Sequence, residues 1–389
     1  MKFLHADAFY FPYEIKYGGF LELTDDGKFG EWLSELPENG AHAATVLDYT
    51  GYQIAPGLVD THIHGFAGAD VQDAKNPDFD GLLTTMSEGL LSAGVTSWLP
   101  TPLTASHEEL LAICETIGAT YKRAKGAKIR GIHLEGPFFT APHKGAQNPK
   151  YMREGAMWEV KAWQKAARGL LRKISLAPER AQVTGFIRAA TAAGIVIALG
   201  HSDATYDEAL QAVEAGATNW THTYNGMRGM THNEPGMVGA ALNIPNTYAE
   251  LICDGHHVRP EACEILFKAK GATHMVLITD SMRAAGLPDG PYMLGEYEVE
   301  VRDGAAWLPT GRPAASILML KNAVKNVVDW QLATPHEALM MATLTAAKSV
   351  ALDNVCGQIK TGHDADFIVL DKEMTLVATY LDGKKRYEA

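Results

Sequence analysis

Between about residue 53 and residue 353 the chain alternates short β-branched or apolar runs with longer stretches whose apolar positions recur every three to four residues. The short runs suit buried strands, and the longer stretches suit amphipathic helices packed over them. Eight runs predict strands: Gln53–Val59, Ser97–Thr101, Lys128–Leu134, Ile174–Ala177, Ile195–Gly200, Thr218–Thr221, Tyr248–Cys253 and His274–Ile278. Helix-period stretches lie between most of them, at Leu82–Ala93, Glu108–Arg123, Trp158–Leu171, Gln182–Ala193, Tyr206–Ala215 and Glu261–Lys270. The endings Ala93-Gly94-Val95 and Ala193-Gly194-Ile195 predict C-cap glycines that lead into the next strand. Eight such units predict a parallel sheet closed into a (β/α)8 barrel.

The flanks lack this alternation. Residues 1–52 and 354–389 carry strand and turn signals, with short strands predicted at Gly357–Ile359, Asp366–Asp371 and Leu376–Leu381 and a hairpin turn at Asp382-Gly383. Neither flank is long enough for its own core. Together they predict one small β-sandwich domain joining the chain's start and end. The fold class is therefore α/β, with a TIM barrel over residues 53–353. Two further helices, Ile317–Leu332 and Pro335–Val350, are expected before the C-terminal flank.

Composition adds boundaries to this reading. The 389 residues, 47% hydrophobic and 21% charged, suit a globular enzyme whose core needs no disulfide or metal staple. Cys114, Cys253, Cys263 and Cys356 form no C-x-x-C pair and read as reduced thiols of a cytoplasmic protein. His5 and Asp7 interrupt the place where a signal peptide needs an apolar run. No stretch approaches the roughly 20 apolar residues of a membrane span. A formal net charge of −12 argues against nucleic acid or an anionic membrane as a partner. It also means that an anionic substrate needs positive charge supplied locally.

Chemically suggestive residues follow the predicted strands. Asp60-Thr61-His62-Ile63-His64 comes after the first, Glu135-Gly136-Pro137 after the third and His201-Ser202-Asp203 after the fifth. His222 follows the sixth, Asp254-Gly255-His256-His257 the seventh and Asp280-Ser281 the eighth. Barrel enzymes gather catalytic groups at this rim. Positions i and i+2 of a strand face the same way, so His62 and His64 can grip one cation. Imidazole and carboxylate ligands suit zinc, and also iron or manganese. Glu135 can bridge two ions or bind one, and His201 and His222 complete a second set. Asp280 is placed to act on an activated water as general base and then on a leaving amine as general acid. An isolated H-x-H pair or a single strand-end Asp carries little, because core histidines and helix N-caps are commoner. Six ligand-type residues at five strand ends carry much more.

At these residues the sequence resembles the N-acetylglucosamine-6-phosphate deacetylases of the amidohydrolase superfamily. The resemblance runs through Pro56–Gly65, His133–Phe138, Lys144–Pro149, Gly200–Ala204, Thr221–Met227, Glu234–Gly236, Asp254–Val258 and Thr279–Met282. It implies a principal metal on Glu135, His201 and His222, and a second on His62 and His64, so one or two divalent ions, zinc first among them, with iron, manganese and cobalt as the alternatives. It implies Asp280 as the catalytic aspartate and His257 as the group that polarises the acetamide carbonyl. Ala146, Gln147, Asn225, Gly226 and Ala314, Ala315, Ser316 would line the sugar and phosphate pocket. A homodimer with its active site near the subunit interface is also implied.

The implied reaction is hydrolysis of N-acetyl-D-glucosamine 6-phosphate to the amino-sugar phosphate and acetate, in amino-sugar catabolism. One departure bears on it. The family's phosphate-binding arginine before Glu-Pro-Gly is here Asn233, which cannot make a guanidinium's charged, bidentate grip. Lys144, Arg228, His232, Arg283 or Arg312 are candidate substitutes. A galactosamine 6-phosphate epimer or an unphosphorylated N-acetyl sugar therefore stays open as substrate. Cyclic-amide hydrolases such as dihydroorotases often carry a carbamylated lysine after strand four. Ile174–Glu179 offers none, which disfavours that activity. A scaffold that had lost catalysis is expected to have lost ligands, whereas all six are present.

Overall fold

The computed structural model describes residues 2–36, 45–311 and 313–389. Its centre is a ring of eight parallel strands. Strand one is Leu58–Ile63, two Val95–Pro100, three Lys128–Ile129 continued by Ile132–Phe138, and four Leu171–Leu176. Strands five to eight are Val196–Leu199, Asn219–Trp220, Tyr248–Ile252 and Met275–Ile278. Each pairs in parallel with the next from three to eight, as one does with two and two with Lys128–Ile129. The ring closes where the Asp280 N–H donates to the His62 carbonyl at 2.9 Å and Ile63 bridges Ser281. This is the expected (β/α)8 barrel.

A helix follows every strand: Phe79–Leu90, His107–Thr120, Met157–Ala166, Val183–Ala192, Tyr206–Glu214, Gly236–Asn243, Pro260–Lys270 and Leu320–Asp329. Local chemistry sets several of their ends. Ser106 with Glu109 and Thr205 with Glu208 form capping boxes. Gly94 and Gly194 take φ of 76° and 81°, the left-handed geometry expected of them. Gly236–Asn243 was not predicted, since its Gly- and Ala-rich turns are apolar all round and show no stripe. Pro335–Val350 divides into Pro335–Met341 and Leu344–Ser349, because Thr343 leaves helical geometry at φ −131°, ψ −93°.

The predicted first strand, Gln53–Val59, is two strands. Its first half ends the long strand Thr45–Pro56 of a separate sheet, and its second half opens the barrel. Gly57 lies between them, where a Cβ would meet the Thr96 side chain at 2.1 Å. The separate sheet runs in the order Lys384–Glu388, Leu376–Leu381, Phe367–Leu370, Thr45–Pro56, Lys2–Tyr10, Phe20–Leu23, Phe29–Leu33, with Ile15–Tyr17 also on Lys2–Tyr10. Both ends of the chain thus share one hydrogen-bonded sheet. It folds over an apolar cluster that includes Leu4, Phe9, Leu21, Phe29, Phe367 and Tyr380. Asp382-Gly383 forms the expected tight hairpin turn with φ of 49° and 66°. Gly357–Ile359 forms no strand.

A third element was not predicted. After barrel strand eight the chain builds a three-stranded antiparallel sheet from Gly290–Leu294, Tyr297–Arg302 and Ala305–Trp307. Its inner face packs Leu294, Val299, Val301 and Ala306 against Leu103, Met282 and Ala284, beside the barrel mouth.

Candidate active site

Six ligand-type side chains converge at the carboxyl ends of the barrel strands. They form two buried groups, each able to hold a metal ion: His62, His64 and Asp280, and Glu135, His201 and His222. His201, His222 and Asp280 have φ of 46°, 30° and 51°, a strained backbone region for residues other than glycine. The barrel holds all three there at the strand ends.

Glu135 stands between the groups. Its Oε1 lies 3.1 Å from His201 Nε2 and 3.1 Å from His222 Nε2, which are themselves 3.1 Å apart. Its Oε2 lies 3.3 Å from His64 Nε2 and 3.7 Å from His62 Nε2. Asp280 Oδ1 lies 2.9 Å from His64 Nε2 and 3.3 Å from His62 Nε2.

These spacings fit cations. His201 Nδ1 is 2.8 Å from the His143 carbonyl, His222 Nδ1 3.0 Å from the Asn225 carbonyl and His64 Nδ1 2.7 Å from the Thr101 carbonyl. A carbonyl only accepts, which assigns the proton to each Nδ1 and turns each Nε2 lone pair inward. Lone pairs and a carboxylate held about 3 Å apart repel one another unless a positive charge lies among them. A tetrahedral ion with ligands at about 2.0 Å sets them about 3.3 Å from each other. His62 Nε2 gives an independent sign: it is buried and, among the described residues, has no hydrogen-bond partner. Burial opposes a charge on His62, yet the Asp280, Glu135 and Glu250 carboxylates push its pKa up to about 10. The field that favours a proton there also favours a metal cation. Burial likewise opposes ionisation of Asp280, but His62 and His64 hold it down at about 2.

Above the ligands opens a cavity of about 910 Å³. Five of the six ligand-type residues line it, as does His257, whereas His62 lies beneath. Asp254 orients His257, accepting from its Nδ1 at 2.7 Å and from the His256 and His257 backbone N–H groups at 2.8 Å. Burial lowers the His257 pKa, but the Asp254 carboxylate, with a smaller contribution from Asp280, raises it overall.

Residues 54–386 match the amidohydrolase family. The chain belongs to that family. It is 37% identical to the N-acetylglucosamine-6-phosphate deacetylase of Vibrio furnissii over 90% of this chain and 87% of that protein. It is also 38% identical to an N-acetylgalactosamine-6-phosphate deacetylase of Escherichia coli O157:H7, over 93% of this chain and 96% of that protein. Among solved structures it resembles a mutant N-acetyl-D-glucosamine-6-phosphate deacetylase of Mycobacterium smegmatis in complex with N-acetyl-D-glucosamine-6-phosphate. That likeness has a TM-score of 0.91 at 29% identity and covers 99% of both chains. The family fold, a barrel with a separate small domain, is the fold described above.

In this amidohydrolase the predicted pocket residues fall into two sets. Ala146, Gln147, Asn225, Gly226, Ala314 and Ala315 line the cavity. Gln147 also donates to Glu135 Oε2 at 2.6 Å, so it supports a ligand as well. Ser316 does not line the cavity. Its N–H donates to the Asp280 carbonyl and its hydroxyl to the Thr279 carbonyl, which fixes the loop carrying Asp280. Asn233 is exposed and accepts from the Thr231 hydroxyl at 3.0 Å, away from the cavity lining.

Of the candidate cations, Arg283 is engaged by Asp70 and Asp73, and Arg228 donates to the Asp203 carbonyl. His232 is exposed and outside the lining, and Arg312 lies outside the described residues. Lys144 lines the cavity, and its ammonium group donates to the Gly145 carbonyl, with no carboxylate partner among the described residues.

Sequence reasoning also missed residues below the ligands. Strand four does contain a lysine: Lys173 is fully buried and bonded to Glu250 of strand seven. The strand begins three residues earlier than predicted, at Leu171. Lys173 is bonded to Glu250 and stands outside both ligand groups. Asp60, also buried, accepts from the Thr279 hydroxyl at 2.6 Å and ties strand one to strand eight.

Proposed function

We propose that the protein hydrolyses the acetamide of N-acetyl-D-glucosamine 6-phosphate, releasing acetate and the amino-sugar phosphate. The observation that carries this reading is the pair of buried ligand groups, with Glu135 of one facing the histidines of the other, beneath a cavity lined by Asp280 and His257. The relatives and the solved structure support the choice of substrate through the substrates in their names. One or two divalent ions, zinc first, would be held by Glu135, His201 and His222 and by His62, His64 and Asp280. When bound, they acidify water and polarise the amide carbonyl.

The chain's own groups supply the rest. Asp280, ionised on the cavity floor, takes a proton from the attacking water and passes it to the leaving amine. His257, fixed by Asp254 through Nδ1, presents Nε2 to the carbonyl oxygen and stabilises the charge that develops there. The backbone around Ala146, Asn225 and Ala314–Ala315 forms the sugar pocket, and Lys144 faces the phosphate. We place the protein in the cytoplasm as a homodimer, as the resemblance implies, with residues 53–353 as the catalytic barrel domain and 1–52 plus 354–389 as the small domain.

The galacto epimer is a second reading, favoured by the 38% identity to the E. coli O157:H7 protein. Acetate release should be measured with both 6-phosphates and with free N-acetylglucosamine. Turnover of the gluco 6-phosphate is expected to stop on chelation and return with zinc. Asp280→Asn should lower kcat by about 10²–10⁴-fold. Metal-loaded enzyme that turns over neither 6-phosphate rejects the proposal.

A further inference from the structure

Beneath the histidine pair lies a buried ion pair that neither the cavity nor the ligand groups contain. Lys173 and Glu250 face each other across the barrel bore from strands four and seven, both fully buried. Barrel interiors are usually filled by branched apolar side chains. Taking two charges out of water is costly, and apolar residues of the same volume are often as stable. The pair therefore invites an explanation other than packing.

Its contacts supply one. Glu250 Oε1 bonds Lys173, while Oε2 lies 3.3 Å from His62 Nδ1. His64, His201 and His222 give Nδ1 to backbone carbonyls; His62 gives its Nδ1 to this side chain. On the far side of the same ring, buried Nε2 has no hydrogen-bond partner among the described residues and points among Asp280, His64 and Glu135. The pair is neutral overall, so it can orient the ring without adding net negative charge to the site.

We propose that Glu250, anchored by Lys173, is a positioning residue that accepts a hydrogen bond from the Nδ1–H of His62 and aims its Nε2 at the His62–His64–Asp280 group, so that the pair sets that group's affinity for a second divalent ion. This rests on the metal-dependent reading above. Partners of this kind typically change metal affinity by roughly 10–100-fold.

The test is calorimetric titration of Zn²⁺ into the metal-free full-length protein, with metal content counted per subunit. The wild type is expected to take two ions. The double variant Lys173→Met/Glu250→Leu should keep the first ion at unchanged affinity and bind the second roughly 10–100-fold more weakly. Glu250→Gln guards against misfolding of the double variant. Lys173 would claim its single oxygen, leaving an NH₂ group towards His62, so the same selective loss is expected. Equal weakening of both ions, unchanged binding of both, or a wild type that takes one ion each overturns the proposal. Acetate release is measured separately, so a protein that binds two ions but hydrolyses neither 6-phosphate rejects the substrate reading and leaves this one standing.

Discussion

Lys144 carries the question of how an acidic protein holds an anionic sugar. Its ammonium group lies 5.7 Å from the Tyr297 ring centroid at the cavity wall and 3.3 Å from the Gly145 carbonyl. An ammonium group with no carboxylate partner among the described residues can meet a phosphate, and it needs no neighbouring arginine to do so. Lys144→Met is expected to raise KM for the 6-phosphate about tenfold, a loss of about 1.4 kcal/mol. Its effect on kcat, and on the unphosphorylated sugar, should be small. Steady-state kinetics on both substrates checks this, and an unmoved KM for the phosphate rejects Lys144 as its partner. At this scale the ligand-type residues that converge were legible because period two and strand-end position are local properties of the sequence. Asp254 stood in plain view within the Asp-Gly-His-His run, but its service to His257 depends on a turn geometry that spacing does not reveal. Lys173 and Glu250 were harder still. Lys173 lies beside Arg172 in a mixed strand and Glu250 is one charge in an apolar run, and only closure of the barrel brings strands four, seven and one onto a shared interior.

The three-stranded sheet after barrel strand eight adds a wall to the site. Leu294 and Tyr297 line the cavity, and Val301, fully buried, belongs to the apolar cluster with Met282 and Ala284 just past Asp280. Val301→Asp puts an unpaired carboxylate into that cluster, which the sheet can relieve only by lifting away. The expected result is new proteolytic cleavage between residues 290 and 307 with a raised KM, while the barrel's melting temperature changes little. Cleavage no faster than in wild type shows that the cluster does not seat the sheet. The strand signal was present in Tyr297-Glu298-Val299-Glu300-Val301-Arg302, which alternates strictly, and the structure buries Val299 and Val301 while exposing both glutamates. A search for βα units passes over such a run because no helix follows it. Barrel strands Val196–Leu199 and Met275–Ile278 were easier, being short apolar runs entered from glycine-ended or amphipathic helices. The divided strand around Gly57 was not readable, since its break goes with close approach to Thr96, 39 residues away in sequence.

The small sheet is locked to the barrel at the end opposite the cavity. Lys128, at the start of barrel strand three, reaches Asp364 at 2.9 Å, Asp366 at 2.9 Å and Asp382 at 2.6 Å, and Arg130 reaches Asp364 at 2.7 Å. Three aspartates so close together resemble a cation site, but Lys128, Arg130 and Lys28 already supply the positive charge. Removing Lys128 leaves Asp366, which is buried, beside Asp364 with less compensation. Lys128→Met should therefore destabilise the protein by about 2–3 kcal/mol at pH 7, below the full value for a buried pair because the side chain is 22% exposed. The pH dependence follows from the two aspartates, which move in opposite directions. Burial works against Asp364, yet Lys28, Arg130 and Lys128 hold its pKa well below the carboxylate range. Its stabilisation is complete above the unfolded value near pH 4 and is lost as pH falls through the folded one. Burial raises the pKa of Asp366 more than Lys128 lowers it, so its ionised form opposes folding at neutral pH and is relieved as it takes up a proton. In Lys128→Met both pKa values rise, and protonation then removes the uncompensated charge. The stability deficit of the variant is expected to be largest near pH 7 and to shrink towards pH 4, read from urea unfolding at each pH. Catalysis below the melting temperature should be unchanged, since strand three carries Lys128 at one end of the barrel and Glu135 near the other. A deficit that stays constant with pH means that Lys128 contributes packing through its methylene stem and not charge.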